Sequence, residues 1–158
     1  MDGGGDEVEV GHGPRPVRGG EFDGWLTWQG EDAFEDQSGP FYFRQEANGS
    51  VRCAFRAEAR HMNGGGFMHG GCLMTFADFC LFAISHPPRK AAGLDGPSVT
   101  VSMNAEFLGP GRVGDLVEAT GEVTRLGAGL IFVRGLVFAG ERRLLNFSGV
   151  IRRMKSRP

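Results

Sequence analysis

Asn63-Gly64-Gly65-Gly66-Phe67-Met68-His69-Gly70-Gly71 runs without interruption into Cys72-Leu73-Met74-Thr75-Phe76-Ala77-Asp78-Phe79-Cys80-Leu81-Phe82-Ala83-Ile84. The second stretch is apolar on every face except at Thr75 and Asp78, and a helix with no polar face must be enclosed by protein. Pro87-Pro88 predict its end, because proline lacks the amide hydrogen that a helix interior uses. Working outward, the enclosing segments read as strands. Phe41 to Gln45 and Val51 to Glu58 flank Ala47-Asn48-Gly49-Ser50, and Asn-Gly between two such runs signals a hairpin. Ser98 to Leu108, Asp115 to Arg125, Leu130 to Phe138 and Arg142 to Met154 follow, separated by glycine-containing turns. In the first of these, Val99, Val101, Met103, Ala105 and Phe107 alternate with Ser98, Thr100, Ser102, Asn104 and Glu106, which assigns the apolar row to the covered face.

No strand–helix–strand alternation suggests a parallel sheet, so the class is α+β. The expected architecture is an antiparallel sheet of about six strands wrapped around one long central helix. A short N-terminal helix is expected from the spacing of Phe22, Trp25, Leu26, Trp28 and Phe34. The organisation is then a disordered tail over 1–20, a helical segment over 21–38, and the domain over 39–154. One helix covers one face of such a sheet, so the other face or an edge is expected to bury itself against another copy of the chain. A homo-oligomer is expected, a homodimer at least and in its fuller form a homotetramer, with the packing left open.

The 158 residues fit one domain, and 41% hydrophobic with 23% charged residues is a globular composition. No apolar run reaches the roughly 18 residues of a membrane span, and no secretory leader is evident at the N-terminus. A cytoplasmic protein with no membrane role is expected. Cys53, Cys72 and Cys80 show no Cys-x-x-Cys spacing and read as small buried hydrophobes rather than a disulfide or zinc framework. Residues 1–50 carry 11 acidic and 3 basic side chains, whereas residues 51–158 carry 8 and 14, a body of net +6 made almost wholly of arginine. Arginine's planar fork suits phosphates, so an anionic partner fits. No basic-aromatic motif supports nucleic acid.

Asp78 is the residue that stands out, since a carboxylate two turns into an enclosed apolar helix is costly to bury. It is either a structural group paired within the fold, or a carboxylate held in a cleft as general base or nucleophile. The glycine-rich entry to the helix offers the complementary half of a site, because helix N-termini present unpaired N–H groups, and Gly70 and Gly71 admit a substrate oxygen. Asn63 and His69 flank that loop and can hydrogen-bond a carbonyl. A Walker loop would need Gly-Lys-Ser/Thr, which is absent, and His61 and His69 are too far apart for a one-turn metal pair. No metal is expected.

At Asn63-x5-His69-Gly70-Gly71-x6-Asp78, followed by Val99-Thr100-Val101-Ser102-Met103-Asn104 and Phe107-Leu108-Gly109-Pro110-x3-Gly114-Asp115, the sequence resembles the hotdog-fold acyl-CoA thioesterases. The resemblance is to the group with an Asn…His-Gly-Gly…Asp site, within the 4-hydroxybenzoyl-CoA thioesterase-like superfamily, and it covers about Gly39 to Met154. It implies Asp78 as the carboxylate that attacks or activates water and the Gly70 N–H as oxyanion donor. Asn63 would hold carbonyl or water, His69 would orient the loop, and Thr100 would assist the water. Thr100 falls on the polar row of its strand, so a bulge or an interface would be needed to aim it at the cleft. Gly71, Phe79 and Phe82 are the expected substrate contacts. No cofactor is implied, CoA being part of the acyl-CoA substrate, and the site would lie between two subunits. An acyl-thioester hydratase or a non-catalytic acyl-CoA-binding module are the rival readings on the same fold.

Overall fold

A computed structural model describes residues 13–154. In chain order they form β1 (Arg15–Pro16), β2 (Leu26–Thr27), α1 (Ala33–Ser38), β3 (Tyr42–Gln45), β4 (Val51–Arg56), a 3-10 turn at Ala59–His61, α2 (Gly70–Ala91), β5 (Ser98–Phe107), β6 (Leu116–Leu126), β7 (Leu130–Ala139) and β8 (Arg142–Arg153). The strands make one eight-stranded sheet in the order β1-β2-β3-β4-β6-β7-β8-β5. Every pairing is antiparallel. The six long strands are those read from the sequence, and two short ones are added at the β3 edge. The other edge is β5, which crosses over to pair with β8 alone.

The inner face of the sheet closes on α2, where Phe76, Phe79, Cys80 and Leu81 are buried against Phe43, Phe55, Val117, Ile131 and Ile151. Close seating needs a gap in the sheet: a Cβ on Gly149 would come within 2.4 Å of Leu81 Cδ1. Truncating a leucine as enclosed as Leu81 typically costs about 2–5 kcal/mol. Cys53 and Cys80 are buried free thiols, as their sequence context suggests, whereas Cys72, also free, is only half-buried.

Three expectations are corrected. Residues 22–32 are not helical, although the expected helix spans them. The chain turns at Gly20 and Gly24, both at positive φ, and then runs as β2. Its apolar side chains divide between two faces, which imitates helical spacing. Phe22 stacks on Tyr42 at 4.2 Å in an outer cluster with Trp25 and Ala54, while Trp28 stacks on Phe43 at 4.8 Å beside the core. Helix is confined to Ala33–Ser38, capped by Asp32. The expected tail also extends too far, because Arg15 and Pro16 pair with Thr27 and Leu26; residues 1–12 lie outside the described part.

The third correction concerns α2, which does not stop at Pro87-Pro88 but continues to Ala91. The prolines remove two amide donors, yet the turn beyond them is held by tertiary contacts. Arg89, which is buried, donates to the Gly96 carbonyl at 2.9 Å and to Ser98 Oγ at 2.7 Å. No helix among the described residues is long and apolar enough to cross a membrane.

Candidate functional site

The loop before α2 is shaped by Asn63. Its side-chain oxygen accepts the Gly65 and Phe67 amides at 2.9 and 3.2 Å, which leaves its NH2 group as the available donor. His69 then caps the helix: its Nδ1 accepts the Gly71 N–H at 2.8 Å, and its carbonyl accepts Cys72 and Leu73 at 2.9 and 3.2 Å. With Nδ1 accepting, the neutral ring carries its proton on Nε2, which is the nitrogen left to face a ligand. The first turn of α2 therefore has its amides assigned, with one exception. Among the described hydrogen bonds the Gly70 N–H has no partner, so at the positive end of the helix dipole it is the open donor.

The loop is braced from behind by His61. Its Nε2 reaches the Ser38 carbonyl at 2.8 Å, its Nδ1 accepts the Glu58 amide at 2.9 Å, and its own carbonyl accepts the His69 N–H at 2.8 Å. This ties α1 and the 3-10 turn to the loop. His61 is thus structural, and among the described residues no three His, Cys, Asp or Glu side chains gather as a metal site.

Asp78 lies half-buried on α2, and the Thr100 hydroxyl donates to its Oδ1 at 2.6 Å. A register shift in the β5–β8 pairing between Thr100 and Ser102 makes this possible. The irregularity switches the parity of the strand: Thr100 turns inward, while Val99 and Val101 are 46% and 52% exposed. The apolar row read from the sequence is thus broken at its start and reaches the inner face only from Met103 onward. Burial pushes the Asp78 carboxyl above the ordinary aspartate value; the Thr100 hydrogen bond opposes the rise and the charge of Asp32 adds to it.

A second carboxyl stands near it. Glu35 on α1 is half-buried, and burial, with the charges of Asp32, Asp78 and Asp36, pushes its pKa up to about 8. Sequence reading missed this residue, although Asp32-x-x-Glu35 has the spacing of a helix-start box that would have placed α1.

The expected residues therefore form two groups. His69 and Gly70 lie at the N-terminus of α2, with Asn63 in the loop that leads into it, and Asp78 meets Thr100 eight residues along the helix. At 1.5 Å per residue these groups are about 12 Å apart on the same helix. The proposed substrate contacts fare differently. The Gly71 N–H is taken up by His69, and Phe79, at 1% exposure, is spent on the core against Trp28 and Phe41. Phe82 is half-buried at the core's margin.

The family model of the thioesterase superfamily matches residues 65–146. A Pseudomonas aeruginosa protein named as an esterase is 38% identical over 118 residues, spanning 73% of this chain and 84% of that protein. Acyl-coenzyme A thioesterase 13 of Homo sapiens is 30% identical over 99 residues, 63% of this chain and 68% of its own length. Among solved structures, the TT0310 protein of Thermus thermophilus superposes with a TM-score of 0.64 at 26% identity, over 78% of this chain and 98% of that one. The helix-in-sheet architecture is the hotdog fold that the sequence motif implied.

Proposed function

Since the chain belongs to the thioesterase superfamily, we propose that this thioester hydrolase acts on an acyl-CoA, releasing a carboxylic acid and CoA. The observation that carries the reading is the Asp78 carboxylate in an otherwise apolar helix, gripped at Oδ1 by Thr100 and raised in basicity by burial. The similarity to an acyl-coenzyme A thioesterase supports the substrate class. So does the net +6 of residues 51–158, which suits the CoA phosphates.

The two half-sites, about 12 Å apart on one helix, are completed by a second copy. Laying two chains antiparallel across their β5 edges sets the Gly70 end of one α2 beside Asp78 of the other. The unpaired β5 edge, with its exposed Val99 and Val101, supports this arrangement. The thioester oxygen then sits on the Gly70 N–H, steadied by the Asn63 amide and His69 Nε2–H. Asp78 Oδ2, free of the Thr100 bond, takes a proton from water as the new C–O bond forms. The C–S bond breaks and the proton passes to the departing thiolate. Direct attack by Oδ2, followed by hydrolysis of the anhydride, starts from the same geometry. CoA is substrate here, and the chemistry calls on no resident cofactor.

The experiment is CoA release from a panel of acyl-CoAs by the wild type, Asp78→Asn and Asp78→Ala, with oligomer mass checked by light scattering. Loss of at least about 100-fold in kcat, the usual weight of a positioned acid–base group, is expected in both variants. Turnover equal to wild type in folded variants would make Asp78 structural and remove the mechanism.

A further inference from the structure

We propose that Phe107 is the acyl-selecting wall of this site, a specificity-determining side chain whose ring takes the first carbons of a bulky or aromatic acyl group. The proposal rests on the thioesterase reading and extends it to the acyl side. Its basis is a contact made by a residue of the motif to which the resemblance assigns no role and which the core does not bury. A Cβ placed on Gly70 would lie 3.2 Å from Phe107 Cε1 and 3.4 Å from Cζ, so the ring leans directly on the backbone of the residue whose N–H is open.

The ring is also oriented by its strand. Beyond the irregularity of β5, Ala105 pairs with Phe147 and Phe107 pairs with Leu145, both buried. Phe107 thus belongs to the inner row, yet it is 55% exposed. The reason is positional: β5 runs antiparallel to α2, and Phe107 reaches the level where the helix begins with two glycines. Gly70 and Gly71 carry no side chain to lay over the ring, which stays exposed beside the donor.

A thioester carbon held at the Gly70 N–H has two arms. The sulfur arm carries hydrated phosphates and must lead to solvent. The acyl arm is apolar and gains by lying on an apolar surface. Phe107 supplies that surface next to the donor, and an aromatic face favours flat or aromatic groups over a methyl. Phe79, buried in the core, cannot do this.

The test uses the whole oligomeric protein with Phe107→Ala and Phe107→Leu, the second keeping apolar volume without the ring. Turnover of benzoyl-CoA and acetyl-CoA is compared, and binding of the non-hydrolysable thioethers S-benzyl-CoA and S-ethyl-CoA is followed by calorimetry. Phe107→Ala is expected to lower kcat/KM for benzoyl-CoA about 10-fold or more while acetyl-CoA changes by less than about 3-fold, the scale at which apolar pockets discriminate. Phe107→Leu should fall between. The thioethers should show the same split in affinity. Equal loss on both substrates, or a change in oligomer mass, would make the ring a structural or interface residue and overturn the proposal. If the wild type releases no CoA from any thioester, the thioesterase reading falls, and the thioethers still judge Phe107. A benzyl preference that vanishes in Phe107→Ala retains the wall, and its absence in the wild type overturns it.

Discussion

Replacing Glu35 by glutamine removes an ionisation that the fold resists. The side chain is held at a pKa of about 8, against an ordinary 4.5, first by burial and then by Asp32, Asp78 and Asp36. The folded protein therefore binds this proton more tightly than the unfolded chain does. Its contribution to stability is full below pH 4.5, declines as pH rises, and is lost by about pH 8. At about 1.4 kcal/mol per pH unit, the wild type should lose about 2–3 kcal/mol between pH 5 and pH 7 through this group. Glu35→Gln is neutral throughout and should not. His61 and His86, whose burial lowers their pKa values, titrate over the same range with the opposite sign. They are common to both proteins and cancel in the difference. The assay is urea denaturation of both proteins at pH 5.0 and 7.5, at one protein concentration because association contributes. The stability difference, variant minus wild type, should rise by about 2–3 kcal/mol across that interval. A difference that stays constant within about 0.5 kcal/mol would show that Glu35 ionises as it does in water, and the account of Glu35 buried on α1 near the Asp78 carboxylate of α2 would fail.

Thr100→Val deletes the hydroxyl that stabilises the charged form of Asp78. Hydrogen bonds to charged groups contribute about 1.5–3 kcal/mol, so the acidic limb of kcat/KM should move up by about one pH unit or more; a limb that stays in place would separate Thr100 from the titrating group. Val101→Glu puts a charge on the exposed β5 edge, where it should block strand pairing between copies. Light scattering should then report monomers and CoA release should collapse, whereas a fully active monomer would refute a site shared between two chains.

The central helix and the six long strands are legible because their signals are local: an apolar run with no polar face, an Asn-Gly hairpin, alternation broken by turns. Asp78 and the His69-Gly70-Gly71 entry are visible for the same reason. What sequence reading gets wrong depends on partners distant in the chain. The apolar residues of 22–28 look helical because they serve two different surfaces, Tyr42 and Ala54 on one side and Phe43 on the other. The helix outruns Pro87-Pro88 because Arg89 is fastened to Gly96 and Ser98. Thr100 turns towards Asp78 of α2 through one strand irregularity that no alternation pattern contains. Phe79 is buried in the core, whereas Phe107 stays exposed because the helix beside it begins with two glycines.

Strand β5 meets α2 at three levels: Ser98 with Arg89, Thr100 with Asp78, and Phe107 with Gly70. A terminal strand with one neighbour would ordinarily be the first part of a sheet to peel away. Here it is riveted lengthwise to the rod it lies along, so the Asp78 carboxylate, its hydroxyl partner and the open amide keep one common frame. Amide hydrogens of β5 should accordingly exchange in step with those of α2 rather than early, and any loosening of the border where two copies would join is transmitted straight to the chemistry.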